Sequence, residues 1–202
     1  MIERAKTDHP INDLSVRRWS PYCFARKKVG SQDLLSLFEA ARWAASSYNE
    51  QPWSYIVAMQ EQGEEFERLV SCLVEANQRW ARIAPVLALG IASLNFSRNS
   101  KPNRAAIHDL GAASACLALE ATARGLHVHQ MIGILPDKAR ELYAIPENHE
   151  PMTAIAIGYA GDAGELPEEL RERDANRRPR KSIEEFVFGA KWGNRLDLFG
   201  KK

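Results

Sequence analysis

EAARWAASSYNEQPWSYIV, residues 39–57, carries three kinds of local preference within one short stretch. Ala, Arg and Trp in its first half favour helix, Ser46, Ser47, Tyr48 and Asn49 compete for their own backbone hydrogen bonds, and Tyr55-Ile56-Val57 favours an extended strand. A helix therefore ends in a polar turn that leads directly into a strand. Pro52 sharpens the turn by excluding Gln51 from right-handed helix, and Trp53 is expected to offer a large flat ring beside hydroxyl and amide groups. Such a place suits a planar ligand with polar edges.

Working outward, Ser31-Gln32-Asp33 reads as the N-cap of a helix carrying Leu34, Leu35, Leu37, Phe38, Ala41 and Ala45. The strand from Tyr55 to Met59 is followed by a turn at Gly63 and a helix from about Glu64 to Asn77. VLALGIAS, residues 86–93, is a short apolar run behind Pro85 and reads as a buried strand. Arg104 to Arg124 is the clearest helix. It has almost no polar face, which marks a central helix, and its Gly111 to Ala115 stretch is small enough for another backbone to approach. HVHQMIGIL is strand-like, a short helix runs from Pro136 to Tyr143, and TAIAIGYAG, residues 153–161, is another buried strand. GELPEELRERDANRRPRKS reads as a charged connection before a tail that starts at IEEFVFG. Helices interleaved with strands imply α/β or α+β.

The chain has 202 residues, 45% of them hydrophobic, enough for a single domain over 1–202 with one sizeable core. Twenty-seven basic residues against 26 acidic ones give a net charge of +1, so no global field points to nucleic acid or an anionic membrane. Cys23, Cys72 and Cys116 form no CxxC pair and have no histidines at zinc-ligand spacing, which reads as a reducing compartment without a metal site. The N-terminus lacks an apolar signal core, and no apolar run approaches the ~20 residues needed to cross a bilayer. These features lead to the expectation of a cytoplasmic protein.

Local charge is more informative. Arg17 and Arg18 lie at a bend, Arg26, Lys27 and Lys28 follow it, and Arg171, Arg173, Arg177, Arg178, Arg180 and Lys181 crowd the late connection. Arginine clusters beside a polar turn suit a phosphomonoester, because a guanidinium fork matches phosphate oxygens. No nucleophile elbow, metal-binding helix or phosphate-binding glycine loop is present. Asp109, after His108, is expected to favour the dipole of its helix rather than act as a base. His127 and His129 share one face of a strand, as packed or ligand-lining groups. A planar-ligand site without nucleophile, base or metal points to a cofactor that carries the chemistry.

These segments together resemble the FMN-dependent nitroreductase family. RRWSPYCF is similar to its phosphate-binding signature, and EAARWAASSYNEQPW to its Ser-Ser-x-Asn-x-Gln-Pro-Trp turn. NQRWARIAPVLALG, HDLGAASACLALEATARGLHVHQMIG and RRPRKSIEEFVF follow in the family's order. The resemblance implies an α+β fold with a central, mainly antiparallel sheet flanked by helices, in an intertwined homodimer with FMN at the subunit interface. It places Arg18, Trp19 and Ser20 at the phosphate and ribityl chain, with Arg178 and Arg180 of the late cluster. It brings Ser46, Ser47 and Asn49 from the other subunit, Asn77 to the pyrimidine edge, and Met131, Ile132 and Gly133 to the ring near N5. Tyr22 stands where the signature has a second basic residue. Its hydroxyl either reaches the phosphate or its ring packs on the fold. The implied activity is hydride transfer from NADH or NADPH through FMN to a nitroaromatic, quinone or similar small electron-poor acceptor, in a ping-pong cycle with no catalytic side chain. Enone reduction, dehalogenation, flavin processing or flavin binding with little turnover are the alternatives.

Overall fold

In a computed structural model the described residues are 4–175 and 178–199, so Arg177 of the late cluster lies outside them. In chain order the elements are α1 (Asp13–Arg17), α2 (Ser31–Arg42), β1 (Trp53–Met59), α3 (Glu64–Ser71), α4 (Glu75–Ala81), β2 (Val86–Ser93), α5 (Ala106–Ala123), β3 (His127–Met131), α6 (Pro136–Tyr143), β4 (His149–Gly158) and α7 (Glu168–Ala175). The four strands form an antiparallel sheet in the order β1-β2-β4-β3. This is the α+β architecture with a central antiparallel sheet that the family resemblance implied, and it decides between the α/β and α+β readings of the segments.

Side-chain alternation along the strands sorts the core onto the two faces of the sheet. Ala58, Leu87, Leu89, Ala154 and Ala156 pack under Phe66, Leu69 and Val70 of α3, Trp80 of α4 and Ala139 of α6. On the opposite face Val86, Ala88, Val128, Ile155 and Ile157 pack under Leu37 and Ala41 of α2 and Ala113, Leu117 and Ala121 of α5. β2 and β4 are central strands that bury both faces, which is why they read as continuous apolar runs.

Four expectations change. The helix from Glu64 to Asn77 is two helices, because Leu73 leaves it to bridge Ile134 and the Val74 N–H bonds the Gly133 carbonyl at 3.1 Å. The N-cap of α2 is Gly30, and Ser31 is already inside the helix. The charged connection contains α7, which lacks an apolar stripe. Acidic residues in its first turn suit the helix dipole, and Arg173 pairs with Glu169 one turn earlier at 2.9 Å. Finally, α5 is not enclosed on all sides: Ile107, Gly111 and Ala115 lie on an open face, and a Cβ added at Gly111 would meet nothing within 4 Å. No helix among the described residues is long and apolar enough to cross a membrane.

Candidate functional site

The bend after α1 brings Arg18, Trp19 and Ser20 alongside β3, all three half-buried. Arg18 donates to Ser20 Oγ at 3.1 Å, and the Trp19 ring meets His127 edge-on at 5.9 Å. Arg180 lies close enough that its charge, after burial itself, pushes the Arg18 guanidinium below its ordinary range. Arg178 and Arg18 likewise act on His129. Arg18, Arg178 and Arg180 thus lie within electrostatic range of one another or of His129 beside β3, and none of the three pairs with a carboxylate among the described residues. A set of donors and like charges held together without a counter-anion is suited to a phosphate.

Beside them the Tyr22 ring packs edge-on against Trp80 at 5.1 Å and His129 at 4.7 Å, the packing that the second of its two expected roles requires. What fixes this stretch of backbone is Asp174, at the end of α7, which is 5% exposed and accepts the Tyr22 N–H at 2.6 Å and the Cys23 N–H. Burial pushes its carboxyl up, and those two bonds oppose the shift. Nothing in a highly charged segment singles out this one acid, because only the tertiary fold distinguishes it from Glu168, Glu169 and Glu172.

His129 is half-buried, with Nδ1 2.8 Å from the Pro21 carbonyl. Burial holds its pKa below the ordinary 6.5, with Arg178 and Arg18 adding to the shift and the Pro21 contact opposing it. Between the depressed folded value and 6.5 the unfolded chain binds the extra proton, so the contribution is complete above 6.5 and is lost as pH falls below it. His129→Gln is expected to flatten the acid-side loss of melting temperature, a difference read by thermal melts above and below that pH. An unchanged acid profile would contradict the assignment.

Continuing along β3, the buried Met131 offers its carbonyl to Thr153 Oγ1 at 3.1 Å. Ile132 is 79% exposed. The Gly133 carbonyl accepts both the Val74 N–H and Asn77 Nδ2, the latter at 3.0 Å. Asn77 and the Met131–Gly133 corner are therefore in direct contact, on the same edge of the sheet as the arginines.

Ser46, Ser47 and Asn49 form the turn before β1, at the other edge. Tyr48, Asn49 and Gln51 have φ of 55°, 56° and 52°, so left-handed backbone is concentrated here. The Ser46 hydroxyl accepts the Gln51 N–H at 3.0 Å, leaving its own proton for an outside acceptor. Trp53 is half-buried at the start of β1. It packs among Ala92, Ala106 and Leu110, while the ring the turn exposes is Tyr48, with Arg98 4.3 Å over its face. Asp109 exceeds its expected part as well: it is buried, and Oδ2 accepts the Ser47 N–H at 2.9 Å. A carboxylate near the start of a largely apolar helix was the available signal, since a buried charge requires partners, whereas Glu120 of the same helix pairs with Arg124 at its end.

The three sequence clusters thus fall into two places. Two open clefts, one lined from Arg26 to Val29 with Met59 and Pro85, the other by Phe24, Arg26 and Gly161, take in the middle basic cluster and touch neither the Arg18–Ser20 bend, nor the Ser46–Asn49 turn, nor the Met131–Gly133 corner. Lys27 and Lys28 of the middle cluster engage Tyr159 and Glu61. No metal-holding group of His, Cys, Asp or Glu occurs among the described residues.

Residues 16–159 match the model of the nitroreductase family, and the chain belongs to that family. An uncharacterized 15.4 kDa protein in the ask 5′ region of Mycolicibacterium smegmatis is 33% identical over 66% of this chain and 88% of its own length. The major NAD(P)H-flavin oxidoreductase of Aliivibrio fischeri is 50% identical over 24% of this chain and 23% of its own. Among solved structures, one described as an oxidoreductase containing FMN superposes with a TM-score of 0.88 at 32% identity, covering 94% of this chain and 96% of that one. A nitroreductase family protein from Clostridium difficile 630 superposes with a TM-score of 0.68 at 24% identity over 88% of this chain and 96% of that one, a likeness of fold.

Proposed function

We propose that this protein is an FMN-dependent oxidoreductase that passes hydride from NADH or NADPH through FMN to a nitroaromatic, quinone or similar electron-poor small molecule. The observation that carries the reading is Arg18, bonded to Ser20, within electrostatic range of Arg180 and sharing His129 with Arg178, none of the three having a carboxylate partner among the described residues. It supplies what a flavin mononucleotide phosphate requires, and the structural relative containing FMN supports the same cofactor. The NAD(P)H-flavin oxidoreductase relative supports the donor.

In this reading Arg18, Ser20, Arg178 and Arg180 hold the phosphate, and Trp19 lies along the ribityl chain. Asn77 fixes the Met131-Ile132-Gly133 corner that borders the ring, and Ile132 covers it with an apolar side chain. Bound FMN supplies the capacity to accept and release hydride. The chain orients donor and acceptor in turn over one flavin face, which is why a ping-pong cycle is proposed. Initial rates at several NADPH concentrations and a varied quinone should give parallel double-reciprocal lines. Intersecting lines would contradict alternate occupancy.

A homodimer completes the site. β1 and β3 are the two edges of the sheet, separated by three strand spacings or about 14 Å, so one protomer holds its Ser46, Ser47 and Asn49 turn away from its own Met131–Gly133 corner. A second copy can bring a turn to that corner, and the open face of α5 supports close approach between copies. Gly111→Leu should leave the protomer intact, and even favour its helix by about 0.5–1 kcal/mol, while shifting a dimer toward monomer in light scattering. A monomeric, FMN-loaded wild type would rule this arrangement out. A cytoplasmic location fits the proposed use of reduced dinucleotide.

A further inference from the structure

Asp109 has no necessary part in folding α5. A carboxylate in a helix's first turn interacts with the dipole from an exposed position, without the cost of burial. Here it is 2% exposed within a helix whose other buried residues are uncharged, and apolar apart from Ser114 and Thr122. Its two oxygens are both engaged: Oδ1 lies 3.0 Å from Nδ1 of the exposed His108, and Oδ2 accepts the Ser47 N–H at 2.9 Å, 62 residues earlier in the chain.

Few contacts outside α5 fix the turn that receives this bond: the Ser93 N–H bonds the Pro52 carbonyl at 2.7 Å where the turn enters β1, and the exposed Tyr48 ring meets Phe96 and Arg98. Asn49 N–H to Ser46 O, Glu50 N–H to Ser47 O and Gln51 N–H to Ser46 Oγ all close within the turn itself. Glu50 also accepts the Ser97 N–H at 2.6 Å, from an exposed loop. Tyr48, Asn49 and Gln51 meanwhile hold left-handed φ, a conformation that costs about 1–3 kcal/mol per residue and persists only when neighbours over-determine it. The bond to Asp109 is the one that ties this strained backbone to the buried framework of α5.

We propose that Asp109 is a positioning residue for the flavin site: its buried carboxylate holds the Ser47 peptide and so sets the geometry in which Ser46, Ser47 and Asn49 meet the cofactor bound by a second copy. This rests on the flavin reading of the turn. The ligand-binding loop is thus controlled from the small-residue helix that the proposed dimer also uses, so a defect at Asp109 acts on a cofactor the residue does not touch.

Asp109→Ala and Asp109→Asn in the full-length protein test this. Amide hydrogen exchange across residues 46–52 reads the latch without reference to flavin, and return of flavin fluorescence on dilution of the loaded protein reads FMN release. Asp109→Ala should exchange faster across the turn, with α5 still protected, and release FMN about 10-fold faster or more. Asp109→Asn retains an oxygen that accepts the Ser47 N–H, so its release rate should stay within about threefold of the wild type. Unchanged exchange in Asp109→Ala overturns the latch. Faster exchange with unchanged release, or equal defects in Ala and Asn that follow loss of global stability, overturns the positioning role. Wild-type protein that takes up no FMN removes the flavin reading instead, and the exchange data still report on the latch.

Discussion

Arg18→Ala is expected to weaken FMN binding by about 1.5–3 kcal/mol, roughly 10- to 100-fold in the dissociation constant. Arg18 is half-buried, bonded to Ser20 Oγ, and held beside Arg180 with no described carboxylate to balance it. Burial and a neighbouring like charge make this an unfavourable place for a guanidinium until an anion arrives, so a phosphate gains a charge-assisted contact that solvent screens only partly. Arg26, also basic and near in sequence, is exposed, and Arg26→Ala should cost under about 1 kcal/mol. Titrating both variants with FMN checks the contrast. Equal losses would show that the phosphate lies elsewhere.

Gly133→Ala should have a comparable effect by a different route. An added Cβ would stand inside contact distance of Asn77 Nδ2 and 2.9 Å from Val74 Cγ2. Neither neighbour is free to yield: Asn77 Nδ2 and the Val74 N–H both bond the Gly133 carbonyl. Relieving the overlap breaks the Asn77 contact or displaces the corner, at a cost of about 1–3 kcal/mol in stability. Because that corner is proposed to border the flavin ring, the absorption band of bound flavin should also shift or weaken. A variant with wild-type melting temperature and spectrum would contradict the close packing described here.

The parts of this fold that were legible in sequence are those that bury a regular pattern. Val86–Ser93 and Pro136–Tyr143 were readable to the residue, the first as an apolar run closed off by Pro85, the second because Pro136 starts it. The polar turn at Ser46 was readable because its residues oppose both flanking elements. What was not legible depends on contacts far along the chain. Leu73 continues the helical spacing of Phe66, Leu69 and Val70, yet pairing with Ile134 takes it out of the helix. α7 is stabilised by charge pairing and by the buried contacts of Asp174, neither visible as periodicity.

The same division holds at the candidate site. The basic clusters could be grouped by residue type and the family resemblance singled out Arg18, Ser20, Arg178 and Arg180; the fold bonds Arg18 to Ser20 and sets Arg180 and Arg178 near Arg18 and His129. Asp109 and Asp174, the acids that hold the backbone of the turn and of the bend, could not be given those parts from spacing alone, because each acts on a backbone N–H distant in sequence. Tyr22 and Trp53 look like ligand contacts by type and position, and both are used for packing.

The proposed binding of FMN and its reduction by a nicotinamide donor are read from the visible absorption of the FMN-loaded protein during anaerobic addition of NADH or NADPH. A bound flavin band should bleach on adding the donor and return when a quinone is supplied. A protein that neither purifies with FMN nor retains added FMN, or whose bound flavin stays oxidised with both donors, would contradict the proposal.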